Sequence, residues 1–286
     1  MRADRRDVTT GVAEIGFARS GGVTRLAHLY QHDPLRVLFP VPEVGDVPVA
    51  VLLTTSGGLV AGDRLAIDIA AGEGAAAHVT AAAAEKVYRS TGATVTIAQH
   101  LSVGEGGWLE YLPPETILFD GARLRRTTRI ELEPVAGFLG GGILVFGRQA
   151  RGERLTHGLI NERWEVWHDG MLVWGDALHL ADEKGGDIAA TIDDPACFAG
   201  AAACATLILA SPNQNPSVLL NGARAVQARS AGPGLQAGAT VVGGLLVARW
   251  FAMEALPLRR AHADLACHLR KAAMGLPATL PRLWHV

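Results

Sequence analysis

RLAIDI (residues 64–69) and VTIAQHLSV (residues 95–103) decide the fold. In the first, Leu65, Ile67 and Ile69 share one face, opposite Arg64 and Asp68; in the second, Val95, Ile97, Leu101 and Val103 repeat the two-residue period of a half-buried strand. Gly-Glu-Gly follows near the first at 72–74 and the second at 104–106, breaking the chain at similar places. This spacing predicts successive rungs or hairpins from residue 23 to residue 130. Further strands are predicted at Leu124–Leu132, Ile143–Phe146, Leu155–Trp167 and Leu172–Leu180, with no linker-like composition between them. Residues 1–286 therefore read as one continuous domain. No strict repeat is present, so a solenoid would be irregular.

Helical signals come late. From Pro257 to Met274, Leu258, Ala261, Leu265, Leu269 and Ala272 step by three or four, with a Pro in the first turn and Gly275 at the end. SPNQNP (211–216) can start another helix through Val218–Arg229, which Gly222 weakens, and Val241–Met253 returns to the sheet.

Composition agrees. Gly supplies 34 of 286 residues, beside 14 Pro, which favours tight turns over long helices. Charges nearly cancel, 26 Lys and Arg against 28 Asp and Glu, so no basic excess is present to neutralise a phosphate backbone, and nucleic acid is an unexpected partner. Charged residues are only 19% and the mean hydropathy is positive, which leaves apolar surface for protein partners after a core is filled. Cys197, Cys204 and Cys267 cannot all pair and form no zinc pattern, so a reducing compartment is expected. MRADRRDVTTG lacks a leader's apolar core, and Ala196–Ala210 is too short to span a bilayer; a soluble, cytoplasmic protein follows.

Motifs for chemistry are sparse. In TTSGGLVAGDR (54–64), Gly57 and Gly62 match half of a phosphate loop, but Asp63-Arg64 stands where Lys and Ser/Thr are needed. A strand–loop–strand crossing with Asp63 exposed at a tight turn is the better reading. His28 and His32, just before Asp33-Pro34, read as surface histidines, and His262 and His268 point to different faces of one helix. No GxSxG or HExxH motif is present. Acidic residues at turns, Asp63, Glu85, Glu110, Glu115, Asp120, Glu153 and Asp176, read singly as solvated; convergence on a wet cavity would make a weak, exchangeable cation site. Arg123, Arg125, Arg126 and Arg129 read as a solvated strand edge rather than a docking patch.

Six segments together carry a resemblance: SGGLVAGDRL (56–65), EKVYRSTGA (85–93), LEYLPPETILFDGA (109–122), GRQARGE (147–153), LINERWEVW (159–167) and LPRLWHV (280–286). In order and spacing they resemble the urease accessory protein UreD, or UreH, family over nearly the whole chain. The resemblance implies a mainly β, irregular two-layer β-solenoid with a few helices, mostly in the C-terminal third. It also implies a non-enzymatic chaperone that bridges apo-urease to UreF and, through UreF, the GTPase UreG, with a dimer within the accessory complex left open. Nickel would pass through a water-filled channel, so Ni²⁺ is cargo and no cofactor is tightly bound.

Residue by residue, Asp63 and Asp176 match acidic positions of the family. Glu85 stands where a small Ser or Thr is common, and Gly140-Gly141-Gly142 where an acid often precedes GRxxxGE. Asp63, Glu85 and Asp176 are thus the expected transient Ni²⁺ route, Glu85 replacing the lost acid. Lys86, Tyr88, Arg89, Glu115, Asp120, Arg148, Arg151 and Glu153 are expected structural or partner-contact residues, with Arg148 and Glu153 as a buried or half-buried ion pair. Two rivals stand beside this reading: a conformational adaptor for urease without nickel conduction, and a β-solenoid carbohydrate hydrolase using Glu110 or Glu115 with Asp120.

Overall fold

The computed structural model describes residues 10–285; the charged segment 1–9, read above as no leader, and Val286 lie outside it. The chain runs through β1 (Thr10–Ser20), β2 (Val23–His32), β3 (Leu35–Leu38), β4 (Val49–Thr54), β5 (Arg64–Ala71), β6 (Ala76–Ala81), the short β7 (Glu85–Val87), β8 (Val95–Val103) and β9 (Trp108–Tyr111). It continues through the short β10 (Thr116–Leu118), β11 (Arg123–Leu132), β12 (Gly137–Phe146), β13 (Leu159–His168), β14 (Met171–Ala181), α1 (Ile188–Asp193) and β15 (Ala203–Ala210). Then come α2 (Pro216–Ser230), β16 (Leu235–Val242), β17 (Leu245–Ala252) and α3 (Ala255–Met274).

From β4 to β13 the chain passes back and forth between two sheets. One has the order β14-β13-β11-β8-β5-β1-β2, the other β16-β17-β15-β12-β9-β6-β4-β3 with β10 and β7 alongside. Strands β1, β5, β8, β11 and β13 are parallel, as are β4, β6, β9 and β12; antiparallel hairpins flank both runs. This is the expected solenoid-like stack. Ile69, Leu101, Ile130 and Val166 form one aliphatic column inside it.

The two Gly-Glu-Gly turns stack on each other, Gly74 N–H donating to the Glu105 carbonyl at 2.9 Å. A third turn, Glu133-Pro134-Val135-Ala136, continues the stack without glycine. Val135 has φ 52°, matching 59° at Gly74 and 63° at Gly106. Geometry repeats where sequence does not.

The central strands of the second sheet are buried on both faces. Phe138, Leu144 and Phe146 of β12 face the first sheet, whereas Leu139, Ile143 and Val145 pack with α2 and α3. The helix predicted at 257–274 begins slightly earlier and ends as expected on left-handed Gly275. His262, fully buried on α3, stacks on Trp284 at 5.8 Å, and burial pushes its imidazole down to about 4, so it stays neutral. Three sequence readings change. Gly140–Gly142 belong to β12, because Cβ atoms at Gly140 and Gly141 would meet neighbouring atoms at 2.3 and 2.0 Å. Strand β13 starts only at Leu159, after a turn in which Gly158 presses against the Ala122 carbonyl. Strands β1, β15 and β16 and the short α1 were not foreseen, and the segment expected to return to the sheet at Val241–Met253 is the end of β16, a turn and β17; residues 235–239 are rich in small side chains with weak strand preference.

A buried charge network ties α3 to the second sheet. The fully buried Glu110 accepts from Arg270 Nε at 3.0 Å, His78 Nδ1 at 2.7 Å and Trp108 Nε1 at 3.1 Å. Arg270 also donates to Asp46 at 2.6 Å and to the Pro277 carbonyl at 2.8 Å. Burial opposes the Glu110 charge, but His78 and Arg270 outweigh it and hold the carboxyl below its ordinary value. Glu110 is therefore not the solvated turn carboxylate expected from sequence.

Two stability predictions follow from this packing. Arg270→Met, which strands Glu110, lowers unfolding free energy in urea by about 3–5 kcal/mol. The native network's contribution is complete above the ordinary carboxylate pKa and is lost as pH falls through the lowered value. Val135→Asn raises stability by about 1 kcal/mol, because Asn tolerates left-handed φ better than a β-branched residue.

Candidate functional site

Register between the parallel strands aligns a polar seam inside the first sheet. Successive partners in one column are Leu65, Ile97, Arg126, Glu162 and Leu178; in the next, Ile67, Gln99, Thr128, Trp164 and Asp176. Both columns start aliphatic and turn polar at later rungs. Arg126 Nε donates to both Glu162 oxygens at 2.9 and 2.8 Å, and Nη1 donates to the Thr116 hydroxyl at 2.9 Å. Trp164 Nε1 donates to Glu162 at 2.9 Å, while Thr128 and Tyr111 engage Gln99 at 2.7 and 2.6 Å. Burial opposes the Arg126 cation, yet Glu162 beside it raises the guanidinium pKa. This corrects the solvated-edge reading: β11 is a central strand, and Arg126 faces inward beside Leu124 and Thr128 while Arg125 faces out.

Two cavities flank this pair. The first, of about 170 Å³, is lined by Thr54, Glu85, Gln99, Tyr111, Thr116 and Arg126 among others. The second, of about 150 Å³, includes Arg126, Gly142, Glu162, Asp176, Cys204 and Arg249. Glu85 accepts from the Thr54 hydroxyl at 2.6 Å, and burial pushes its carboxyl above the ordinary range. Asp176 pairs with Arg249 at 2.8 Å. Burial pushes the Cys204 thiol up to about 12, so it stands in the cavity as a protonated thiol, a poor metal ligand. No group of three or more His, Cys, Asp or Glu among the described residues could hold a metal ion.

The expected acidic residues thus separate. Glu85 lines the first cavity and Asp176 the second, whereas Asp63 lines neither. Rather than being exposed at its turn, Asp63 is buried; its carboxylate accepts the Val60 N–H at 2.9 Å and its own N–H donates to the Val60 carbonyl. The gained acid and the lost one also fall apart, because Gly142 faces the second cavity and Glu85 the first.

Of the remaining motif residues, Tyr88, Asp120, Arg148 and Glu153 gather around Phe119 near the surface, whereas Lys86 lines the first cavity. Tyr88 donates to the Gly57 carbonyl at 3.0 Å and meets Phe119 edge-on at 4.9 Å; Arg148 lies over Phe119 at 4.5 Å and binds Glu153 through Nε at 3.1 Å. That ion pair is half-exposed. Asp120 accepts the Thr156 N–H at 2.7 Å, and Arg89 contacts His157 at 3.1 Å. Lys86 and Arg151 are exposed. Glu115 lies 3.7 Å from Arg259 of α3. Partial burial opposes the Asp120 charge, but Thr156 holds its pKa down. Glu110 and Asp120 therefore lack the raised pKa that a general acid of glycoside hydrolysis needs.

Sequence reasoning missed Arg126, Glu162 and Arg249. Parity held the signal for the first two: Arg126 shares the phase of Leu124 and Ile130, and Glu162 that of Ile160 and Val166. Asp63→Ala should strand the Val60 N–H and cost about 1–3 kcal/mol in denaturant unfolding, leaving both cavities unchanged.

Comparison with known proteins adds a separate finding. Residues 9–285 match the family model described as UreD urease accessory protein. The chain is 43% identical over 278 residues to a urease accessory protein UreD of Magnetococcus marinus, covering 96% of this chain and 94% of the relative. It is 42% identical over 283 residues to one from Methylobacterium sp. strain 4-46, covering 98% and 96%, and 40% identical over 263 residues to one from Rhodopseudomonas palustris strain BisB5, covering 92% and 87%.

Proposed function

This chain belongs to the UreD family of urease accessory proteins, and on that premise we propose that it is a cytoplasmic, non-enzymatic intermediary in loading nickel into apo-urease. It docks apo-urease on one side and UreF, with the GTPase UreG behind it, on the other. Ni²⁺ passes between the two sheets as cargo, without a tightly held cofactor. The observation that carries this reading is the pair of cavities that share Arg126 in their walls, largely apolar but with Glu85 placed in one and Asp176 in the other.

The donor set suits passage better than storage. Carboxylate and hydroxyl oxygens exchange nickel readily, whereas converging thiolates and imidazoles would trap it. Docking is supported by exposed apolar side chains on β2, Leu26, Leu29 and Tyr30, and at the edge of the other sheet, Leu38, Phe39, Val41 and Val44. Among the described residues no helix is long and apolar enough to cross a membrane.

One observation favours the rival adaptor reading: the Arg126–Glu162 pair stands between the cavities. A plug separates the two. Ile97→Trp, which fills the first cavity from a buried position, should lower nickel-dependent activation of apo-urease about tenfold at limiting nickel while leaving complex assembly intact, a barrier change of roughly 1.4 kcal/mol. Unchanged activation would favour the adaptor.

Glu85 supplies a pH test. Its raised pKa means that protonation begins nearer neutrality, so nickel transfer should fall as pH drops toward that value. Glu85→Gln should transfer more slowly at neutral pH and flatten this dependence. Equal rates and profiles would remove Glu85 from the route.

A further inference from the structure

We infer that Arg126 is a latch that divides one passage into two chambers, and that a divalent cation crosses by exchanging places with its guanidinium on Glu162. The inference rests on the conduit reading above. Arg126 is the one lining residue that the two cavities share. Its guanidinium spans them, anchored by Nη1 to Thr116 of the first and by Nε to Glu162 of the second.

Charge dictates the exchange. A cation drawn toward Glu85 in the first chamber meets a permanent like charge ahead of it. Glu162 is buried, and a carboxylate left there without a partner is strongly unfavourable. A divalent ion arriving as the guanidinium leaves keeps Glu162 neutralised, and the displaced guanidinium, still held through Nη1 by Thr116, turns into the first chamber toward the Glu85 carboxylate, so neither charge is left without a partner. No bond is made or broken in covalent terms, and charge on the carboxylate is conserved in partnership.

The fold leaves space for the swing. At Gly142 an added Cβ would stand 3.3 Å from the Trp164 ring and in ordinary contact with Arg126 Nη2 at 4.0 Å, so a methyl there would press on Trp164 and take up part of the space that the guanidinium and a passing ion must share. The arrangement recurs at the far end of that chamber. Asp176 is paired with Arg249, and Arg249 and Phe251 also line an outer groove with Trp174, Gln236 and Thr240. Each carboxylate of the second chamber is thus paired with an arginine, Glu162 through both oxygens and Asp176 through one.

The test uses the full chain co-assembled with UreF, UreG and apo-urease, with radioactive ⁶³Ni²⁺ at limiting concentration as the probe and time-resolved metal transfer to urease as the readout. Arg126→Met combined with Glu162→Gln removes both charges together and should speed transfer about tenfold, as expected from roughly 1.4 kcal/mol off the barrier. Gly142→Ala leaves the ion pair made but crowds the swing, and should slow transfer by about threefold. Opposite signs from neighbouring substitutions would not arise from a merely structural role. If Ile97→Trp slows transfer while the double variant matches or falls below the native rate, the latch is wrong and the conduit stands. Native rates in all three variants would overturn both. Should the double variant fail to assemble, an unchanged rate in Gly142→Ala overturns the latch alone.

Discussion

Parallel strands in register oblige every second side chain of one rung to stand beside its counterpart in the next, and the space between the two sheets is filled by whatever those columns contain. Where the columns are aliphatic, as at Ile69, Leu101, Ile130 and Val166, the sheets close on a dry core. Two residues away, Ile67 gives way to Gln99, Thr128 and Asp176, and four residues away, Ile97 gives way to Arg126 and Glu162. Polar side chains cannot interdigitate as aliphatic ones do, because each needs a partner at hydrogen-bond distance. The cavities lie along that change in column chemistry.

Such a seam needs rigid walls. The second sheet is held from behind by α2 and α3, and α3 is pinned through Arg270 to Glu110 and Asp46, residues separated from it by more than half of the chain. A buried pair of this kind adds little net stability over an apolar replacement, but it is costly to break on one side. Its geometry also fixes the chain after α3, since Arg270 binds the carbonyls of Pro277 and Thr279.

The two classes of buried charge serve different ends. Glu110 is locked by three donors in a dry site, with no cavity beside it among those containing Glu85 or Asp176. Glu162 has its guanidinium between two open spaces, and Asp176 and Arg249 are partly exposed. Charge pairs packed without room are structural; pairs beside room to move are suited to exchange.

Local sequence determined a good deal: the strands at 64–69 and 95–103, the glycine turns after them, the helix ending at Gly275 and the absence of any nucleotide or zinc motif were all legible, because period-two alternation, positive φ and capping are short-range properties. Even the inward phase of Arg126 was present in the alternation of Leu124, Thr128 and Ile130. Tertiary structure alone decided that Glu85 and Asp176 stand in different chambers, that Asp63 is a turn clasp, and that Arg126 lies between. Those relations depend on register between strands about thirty residues apart and on how two sheets stack, and alternation within one strand carries no information about its offset from the next.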